Sequence, residues 1–190
     1  MRVFAIGEDA ALEAELAERG LDLVRSGDAK ALVTLAPRVE LRPAAELEPD
    51  EWRASFAAWV EEPFFAAQPW LRPGRTWVAV TSILATQPFP GGAVGACALA
   101  LQTLVRVAAL EGVRANAVAA GWRADRLPAE LDTDLAVADT PGRRLASAAD
   151  VAAAVVWLLS LEAAHVNGEV LRVDGGYTIT RGSRPDPRMA

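Results

Sequence analysis

Few side chains in this chain can move a proton or attack a carbonyl. There is one cysteine, Cys97, one histidine, His165, one tyrosine, Tyr177, and one lysine, Lys30; every other side-chain cation is an arginine. A Ser-His-Asp or Cys-His nucleophile would have to recruit His165, which stands in Ala163-Ala-His-Val-Asn-Gly168 just ahead of an apolar run. A loop histidine at a strand entry reads as structural. One Cys and one His assemble neither a disulfide within the chain nor a Cys/His zinc cluster, so no metal site is expected. Ser82, at the end of an apolar run, reads as a turn residue bonding its own backbone, with an oxyanion contact as the alternative. The cluster Gly121-Trp-Arg-Ala-Asp-Arg126 reads equally as an anion site or as a solvated loop.

The elements that would position these groups alternate between strand and helix. Arg2 to Ile6 is a short apolar strand; Gly7 turns, and Asp9 caps a helix whose Leu12 and Leu16 recur at i, i+4 before Gly20 ends it. Leu21 to Val24 and Ala31 to Ala36 are the next strands. The few residues between them are too few for a crossover between parallel neighbours, so the strand order in this stretch stays open. Pro49 and Asp50 open a helix carrying Trp52, Phe56, Trp59 and Val60, which runs through Pro63 to about Gln68. Thr76 to Thr81 is a strand, followed by a loop with Pro88, Pro90, Gly91 and Gly92. A helix from Ala93 to Leu110 is apolar nearly all round and must be covered on both sides; Cys97 within it reads as a small core residue. Val113 to Ala119 is a strand, residues 121–134 an irregular charged loop, Ser147 and Asp150 a capping box for the helix Ala148 to Leu159, and Glu169 to Val173 the last strand.

Continuously apolar strands alternating with helices imply a doubly wound α/β fold, a parallel sheet with helices on both faces. The 190 residues fit one domain over residues 1–180, with an Arg-, Pro- and Gly-rich tail at 181–190 expected to be disordered. A formal charge of −6 with dispersed arginines argues against nucleic acid. The amino terminus has no long apolar leader, and no stretch reads as a membrane span, so a soluble cytoplasmic protein is expected.

Residues 112–122, Gly-Val-Arg-Ala-Asn-Ala-Val-Ala-Ala-Gly-Trp, together with 150–160, Asp-Val-Ala-Ala-Ala-Val-Val-Trp-Leu-Leu-Ser, and 167–176, Asn-Gly-Glu-Val-Leu-Arg-Val-Asp-Gly-Gly, resemble the carboxyl-terminal half of a short-chain dehydrogenase/reductase. The likeness extends back through Trp77-Val-Ala-Val-Thr-Ser82, Glu48-Pro-Asp-Glu-Trp52 and Leu32-Val33, covering about residues 30 to 180. It implies a Rossmann-like sheet, truncated here at its second and third strands. It also implies a Gly-rich turn that cradles a dinucleotide pyrophosphate on a helix N-terminus. This chain has Gly7-Glu8-Asp9-Ala10-Ala11 there, and two carboxylates oppose a pyrophosphate.

The resemblance further implies a Tyr acid, a Lys four residues on, a Ser and an Asn. Those positions fall on Val94, Ala98, Ser82 and Trp59, so Ser82 is the only retained catalytic position, one residue closer to position 94 than usual. The family's Asn-Asn-Ala-Gly run is Thr34-Leu35-Ala36-Pro37, and residues 121–126 occupy its substrate-lid position. General acid–base catalysis is worth about 10² to 10⁴ in rate, and the groups that supply it are missing.

The expectation is a non-catalytic subunit that binds no cofactor itself. It pairs with an active short-chain dehydrogenase homologue, which would hold NAD(P), in a heterodimer or heterotetramer. Trp52, Phe56, Trp59, Val94, Leu101 and Val105 are expected at the interface, because the family assembles through these two helices. The alternatives are an enzyme with a non-standard site around Ser82 and the 121–134 loop, and a homodimer that binds a small ligand at the carboxyl ends of the strands.

Overall fold

The computed structural model of the protein describes residues 1–87, 89 and 93–180. The apolar runs form six strands, β1 (Arg2–Ile6), β2 (Asp22–Val24), β3 (Ala31–Thr34), β4 (Thr76–Ser82), β5 (Arg114–Ala120) and β6 (Val170–Val173). All pair in parallel in the order β2-β1-β3-β4-β5-β6, a Rossmann-like doubly wound sheet. The expected loop residues Pro88, Pro90, Gly91 and Gly92 and the expected tail at 181–190 lie outside the described residues.

The compressed stretch between β2 and β3 has a simple geometric solution. The two strands are not neighbours; they flank β1 on either side. Val24 stands level with Phe4 and Ala31 level with Val3, so the chain steps back one residue while crossing two strand spacings, about 9 to 10 Å. Residues 25–30, each reaching about 3.3 to 3.6 Å when extended, span that distance without a helix.

One face of the sheet is covered by α1 (Ala10–Glu18) and α6 (Ala148–Leu159), which bury Leu12, Leu16, Val151, Val155 and Leu158 against Val33, Val78 and Val118. The capping box of Ser147 and Asp150 opens α6, and the Arg114 guanidinium donates to the carbonyls of Leu158 and Leu159 at its other end. The opposite face is covered by α4 (Ala93–Leu110) and by a helical run comprising α2 (Pro49–Phe56), a π turn (Ala57–Glu61) and α3 (Glu62–Ala67). The π turn has a local cause. Pro63 has no N–H to offer the Trp59 carbonyl, and the Glu62 N–H reaches back five residues to Ala57.

By length and composition α4 is long and apolar enough to cross a membrane. Its inner face, however, packs on the sheet through Leu101, Val105 and Ala108. Within the single chain it is not covered on both sides as expected, since Leu99, Val107 and Leu110 remain 46%, 42% and 89% exposed.

Four of the six expected interface residues are likewise corrected. Leu101 and Val105 are buried against the sheet, and Trp59 and Val94 in a second cluster with Trp122 and Tyr177. The 3.6-residue period turns these side chains inward, so they are not available to a partner. Trp52 is exposed and Phe56 half-buried.

Candidate functional site

The site is built where β1, β3, β4 and β5 deliver their carboxyl ends. Asp9 follows the Gly7 turn and caps α1, its Oδ1 accepting from Leu12 N at 3.2 Å. Gly7 has φ +85°, and a Cβ there would stand 2.6 Å from the Leu35 carbonyl oxygen, so glycine is needed for the close pass between β1 and β3.

The loop after β5 supplies the partners of Asp9. Gly121 runs so close to Asp174 that a Cβ would meet its Cα at 2.7 Å. Beyond it, Ala124 N donates to Ala146 O and Ala146 N to Trp122 O, fixing the backbone that aims Arg123 inward. Arg123 grips Asp9 with two bonds, Nη1 to Oδ2 at 2.5 Å and Nη2 to Oδ1 at 3.1 Å. It also donates to both oxygens of Asp125. Arg126 Nη1 donates to Asp9 Oδ2 at 2.5 Å and to the Ala36 carbonyl at 3.0 Å.

The Asp9 and Arg123 side chains are only 3% and 6% exposed. Burial pushes the Asp9 carboxyl up, but the hydrogen bonds and charge of Arg123 and the charge of Arg126 outweigh it and hold the group below its ordinary value. Burial likewise lowers Arg123, while Asp9 and Asp125 raise it above its ordinary value. The charged cluster at 121–126 is therefore neither a solvated loop nor an open anion site. Its anion is a carboxylate of the same chain, 114 residues away in sequence.

This arrangement occupies the place where the resemblance puts a pyrophosphate. The positive end of α1, where a pyrophosphate would rest, already holds the Asp9 carboxylate. The crevice bordered by Asp9, Trp59, Ser82, Trp122 and Arg123 leaves only about 50 Å³, against roughly 300 to 1,000 Å³ for sites that enclose a drug-sized ligand. Trp59 and Val94, at two of the expected catalytic positions, fill the space with buried apolar surface, and Ala98 is buried beside them. At positions 94 and 98 the chain has neither the phenol nor the amine that the resemblance implies.

Ser82 behaves as the turn residue it was read to be, its Oγ accepting from Leu84 N at 3.2 Å. Buried Gln102 of α4 secures that strand end, donating to Thr81 Oγ1 at 2.9 Å and to the Ser82 carbonyl. Tyr177 is brought to the edge of Trp122, with centroids 6.0 Å apart, whereas Lys30 stands at the far, amino end of β3. The two are not assembled into an acid–base pair. His165 is exposed, and burial raises the Cys97 thiol. Among the described residues no group of acidic, His or Cys side chains could hold a metal.

A larger groove of about 760 Å³ opens beside the crevice, running from the Gly7-Glu8 turn along β1 to α3 and lined by Phe4, Ile6, Arg25, Arg38, Glu62 and Pro63 among others. Sequence reading missed both this groove and the Asp9–Arg123 bond. The only signal for the bond was a charged cluster directly after a fully apolar strand.

A protein-family profile described as "Enoyl-(Acyl carrier protein) reductase" matches residues 27–178. The uncharacterized oxidoreductase YohF of Escherichia coli K12 is 32% identical over 169 residues, which is 82% of this chain and 67% of that protein. The chain spans about two thirds of the length of the curated relatives it matches. Two solved structures share the fold. A gluconate 5-dehydrogenase from Burkholderia cenocepacia, in complex with NADP and tartrate, superposes with a TM-score of 0.80 at 20% identity, covering 94% of this chain and 95% of that one. A short-chain dehydrogenase/reductase of the glucose/ribitol dehydrogenase type from Brucella melitensis superposes with a TM-score of 0.78 at 18% identity, covering 93% and 95%.

Proposed function

The chain belongs to the short-chain dehydrogenase/reductase family, and from that premise we propose that it is a non-catalytic member which assembles with an active homologue of the family. The observation that carries this reading is the Asp9 carboxylate, seated at the amino end of α1 and clamped by Arg123 and Arg126. An enzyme of this family needs that end of the helix free for its cofactor. Here the chain satisfies it internally, and the positions of the acid and its lysine are Val94 and Ala98. NAD(P) is then bound by the partner subunit and not by this one.

The surface that meets the partner is the outer side of α2 and α4. Trp52, Leu99, Val107 and Leu110 stay exposed there, and water contact over this much apolar side chain is relieved by a docked subunit. The two long helical runs and the last strand are retained while the catalytic groups are absent, which fits a chain kept for its contacts.

The test is native mass spectrometry on the protein purified under mild conditions from its own host, with each co-purifying chain identified. A stoichiometric homologue carrying a Gly-rich turn and a Tyr-x-x-x-Lys pair is the expected result. A homo-oligomer with no partner would overturn the assembly proposed here.

A further inference from the structure

We propose that a small pocket between α4 and β6, separate from the crevice at Asp9, is a binding site for a free α-amino acid. It measures about 200 Å³ and lies beside the row Thr81, Ala119 and Arg172, which stand level on β4, β5 and β6. Residues level on neighbouring parallel strands share one face of the sheet, and the bond from Gln102 of α4 to Thr81 makes this the α4 face. Ala119 is the shortest side chain of the row, which leaves room between the sheet and the helix. Gln102 and Arg106, one turn apart on α4, and Val170 of β6 complete that part of the wall.

The Gln102 side-chain carbonyl carries the assignment. Gln102 is 1% exposed. Its Nε2 donates to Thr81 Oγ1 at 2.9 Å and to the Ser82 carbonyl at 3.3 Å, which uses both of its protons. A main-chain carbonyl only accepts, so the nitrogen of the amide must lie at this end and the oxygen on the other branch. Oε1 receives no donor from a described residue. It is not sealed either, since among the described residues the buried side-chain polar atom that lacks both a partner and a path to water is Trp122 Nε1, not Gln102 Oε1. The pocket is the space Gln102 borders, and an acceptor left open there calls for a ligand that donates.

The charged groups of the wall say what else that ligand bears. Arg106, Arg172 and Glu169 are exposed at the same pocket, and none of their charged ends makes a hydrogen bond or an ion pair with a described residue. Arg172 lends its charge to Asp174, whose oxygens are already taken by Thr178 and the Gly176 N–H. Two unpaired guanidiniums, one unpaired carboxylate and one open amide carbonyl around Ala119 and Val170 are the complement of an ammonium beside a carboxylate. The ammonium donates to Gln102 Oε1 and Glu169, and the carboxylate accepts charge-assisted bonds from the arginines. A plain acid would leave Gln102 Oε1 unmet, and a plain amine would leave the guanidiniums unmet. At roughly 30 Å³ for a water-sized group, the pocket takes about six or seven heavy atoms, the size of alanine or serine. Binding of this kind requires no dinucleotide and goes beyond the non-catalytic subunit role.

The experiment titrates the ¹⁵N-labelled full chain with L-alanine and L-serine at constant ionic strength, with propionate and ethylamine as analogues that each lack one charged group. The expected result is a saturable shift of the Ala119 and Val170 backbone amides with the amino acids and a response about tenfold weaker to either analogue, the loss of roughly one hydrogen bond to a charged group. Arg172→Ala and Glu169→Ala alter exposed side chains, so both should fold as well as the parent, and each should weaken alanine binding by a similar factor. Gln102→Leu should remove the preference for alanine over propionate; where that variant does not fold, the two exposed-side variants decide. No saturable shift, as when Gln102 Oε1 holds a water only, would overturn the proposal. So would an equal response to propionate, which marks the arginines as a general anion surface, or alanine binding unchanged in both exposed-side variants. None of these outcomes bears on whether the chain pairs with an active homologue.

Discussion

A carboxylate as buried as Asp9 keeps its charge only where cations replace the water it has lost. Arg123 supplies a two-pronged contact and Arg126 a third bond, and Asp125 in turn accepts from Arg123. Removing one member leaves the others buried without compensation. Asp9→Asn keeps a side chain able to cap α1 but removes the charge, and should cost about 3 to 5 kcal/mol in urea unfolding at neutral pH. A loss below about 1 kcal/mol would place the pair among exposed ion pairs and remove its structural role. The direction of the pH dependence follows from the same group. Asp9 and Asp174 have folded values held below the ordinary 3.8, the latter against the effect of burial by bonds from Thr178 and the Gly176 N–H. The native state then binds fewer protons than the unfolded one as pH falls toward 3.8, so their contribution is complete above that value and is lost as pH drops through the folded values. Urea midpoints measured from about pH 6 to about pH 3 should fall steadily. In Asp9→Asn the fall should be shallower, because one of the titrating groups is gone.

At the scale of elements, α4 is where the sequence pattern and the structure part most clearly. Its residues are apolar on every side, yet only one side touches the sheet. Leu101→Asp or Val105→Asp places an unpaired charge in the core and should leave the chain unfolded in circular dichroism and thermal melts. Leu99→Asp and Val107→Asp sit on the exposed side and should leave the melting temperature within a few degrees of the parent, while the mass of the assembly falls to that of the free chain. Equal melting losses from Leu99→Asp and Leu101→Asp would mean that the two faces have been misassigned. Gly121→Ala tests the loop that carries Arg123. The new Cβ would meet backbone of Asp174 at 2.7 Å, so the loop must shift and the Arg123–Asp9 bond with it. The expected readout is a loss of stability that is much smaller when the substitution is made in an Asp9→Asn background, since the bond is already broken there.

For the whole molecule, the occupied end of α1 sets the expected cofactor behaviour. The Asp9 carboxylate sits there, and seating a pyrophosphate in its place would require separating a buried ion pair. Titration of NADH or NADPH fluorescence with the isolated chain should therefore show no saturable binding. The double substitution Val94→Tyr with Ala98→Lys should give no oxidation of either cofactor, because the pyrophosphate position stays filled. Turnover in that double variant would overturn the account of the α1 end. The same geometry explains how a sheet with β2 cut to three residues holds together. The missing crossover lies at the β2 edge of the sheet, and every strand from β3 to β6 keeps a parallel neighbour on each side except the last.

Local patterns already determine much of this protein. The apolar runs and helix periods mark strands and helices in their order, the Ser147–Asp150 box and the Asp9 cap mark helix starts, and the identities of positions 94 and 98 exclude a Tyr–Lys pair there, because each of these depends on residues a few positions apart. Tertiary structure alone decided the rest. It chose which side of α4 faces the sheet, placed β2 and β3 on opposite sides of β1, and brought Arg123 across 114 residues to Asp9. A charged cluster looks the same in sequence whether water or a carboxylate surrounds it. Only the packed fold removes the water, and removal of water is what turns Asp9 and Arg123 from two surface charges into the plug of the site.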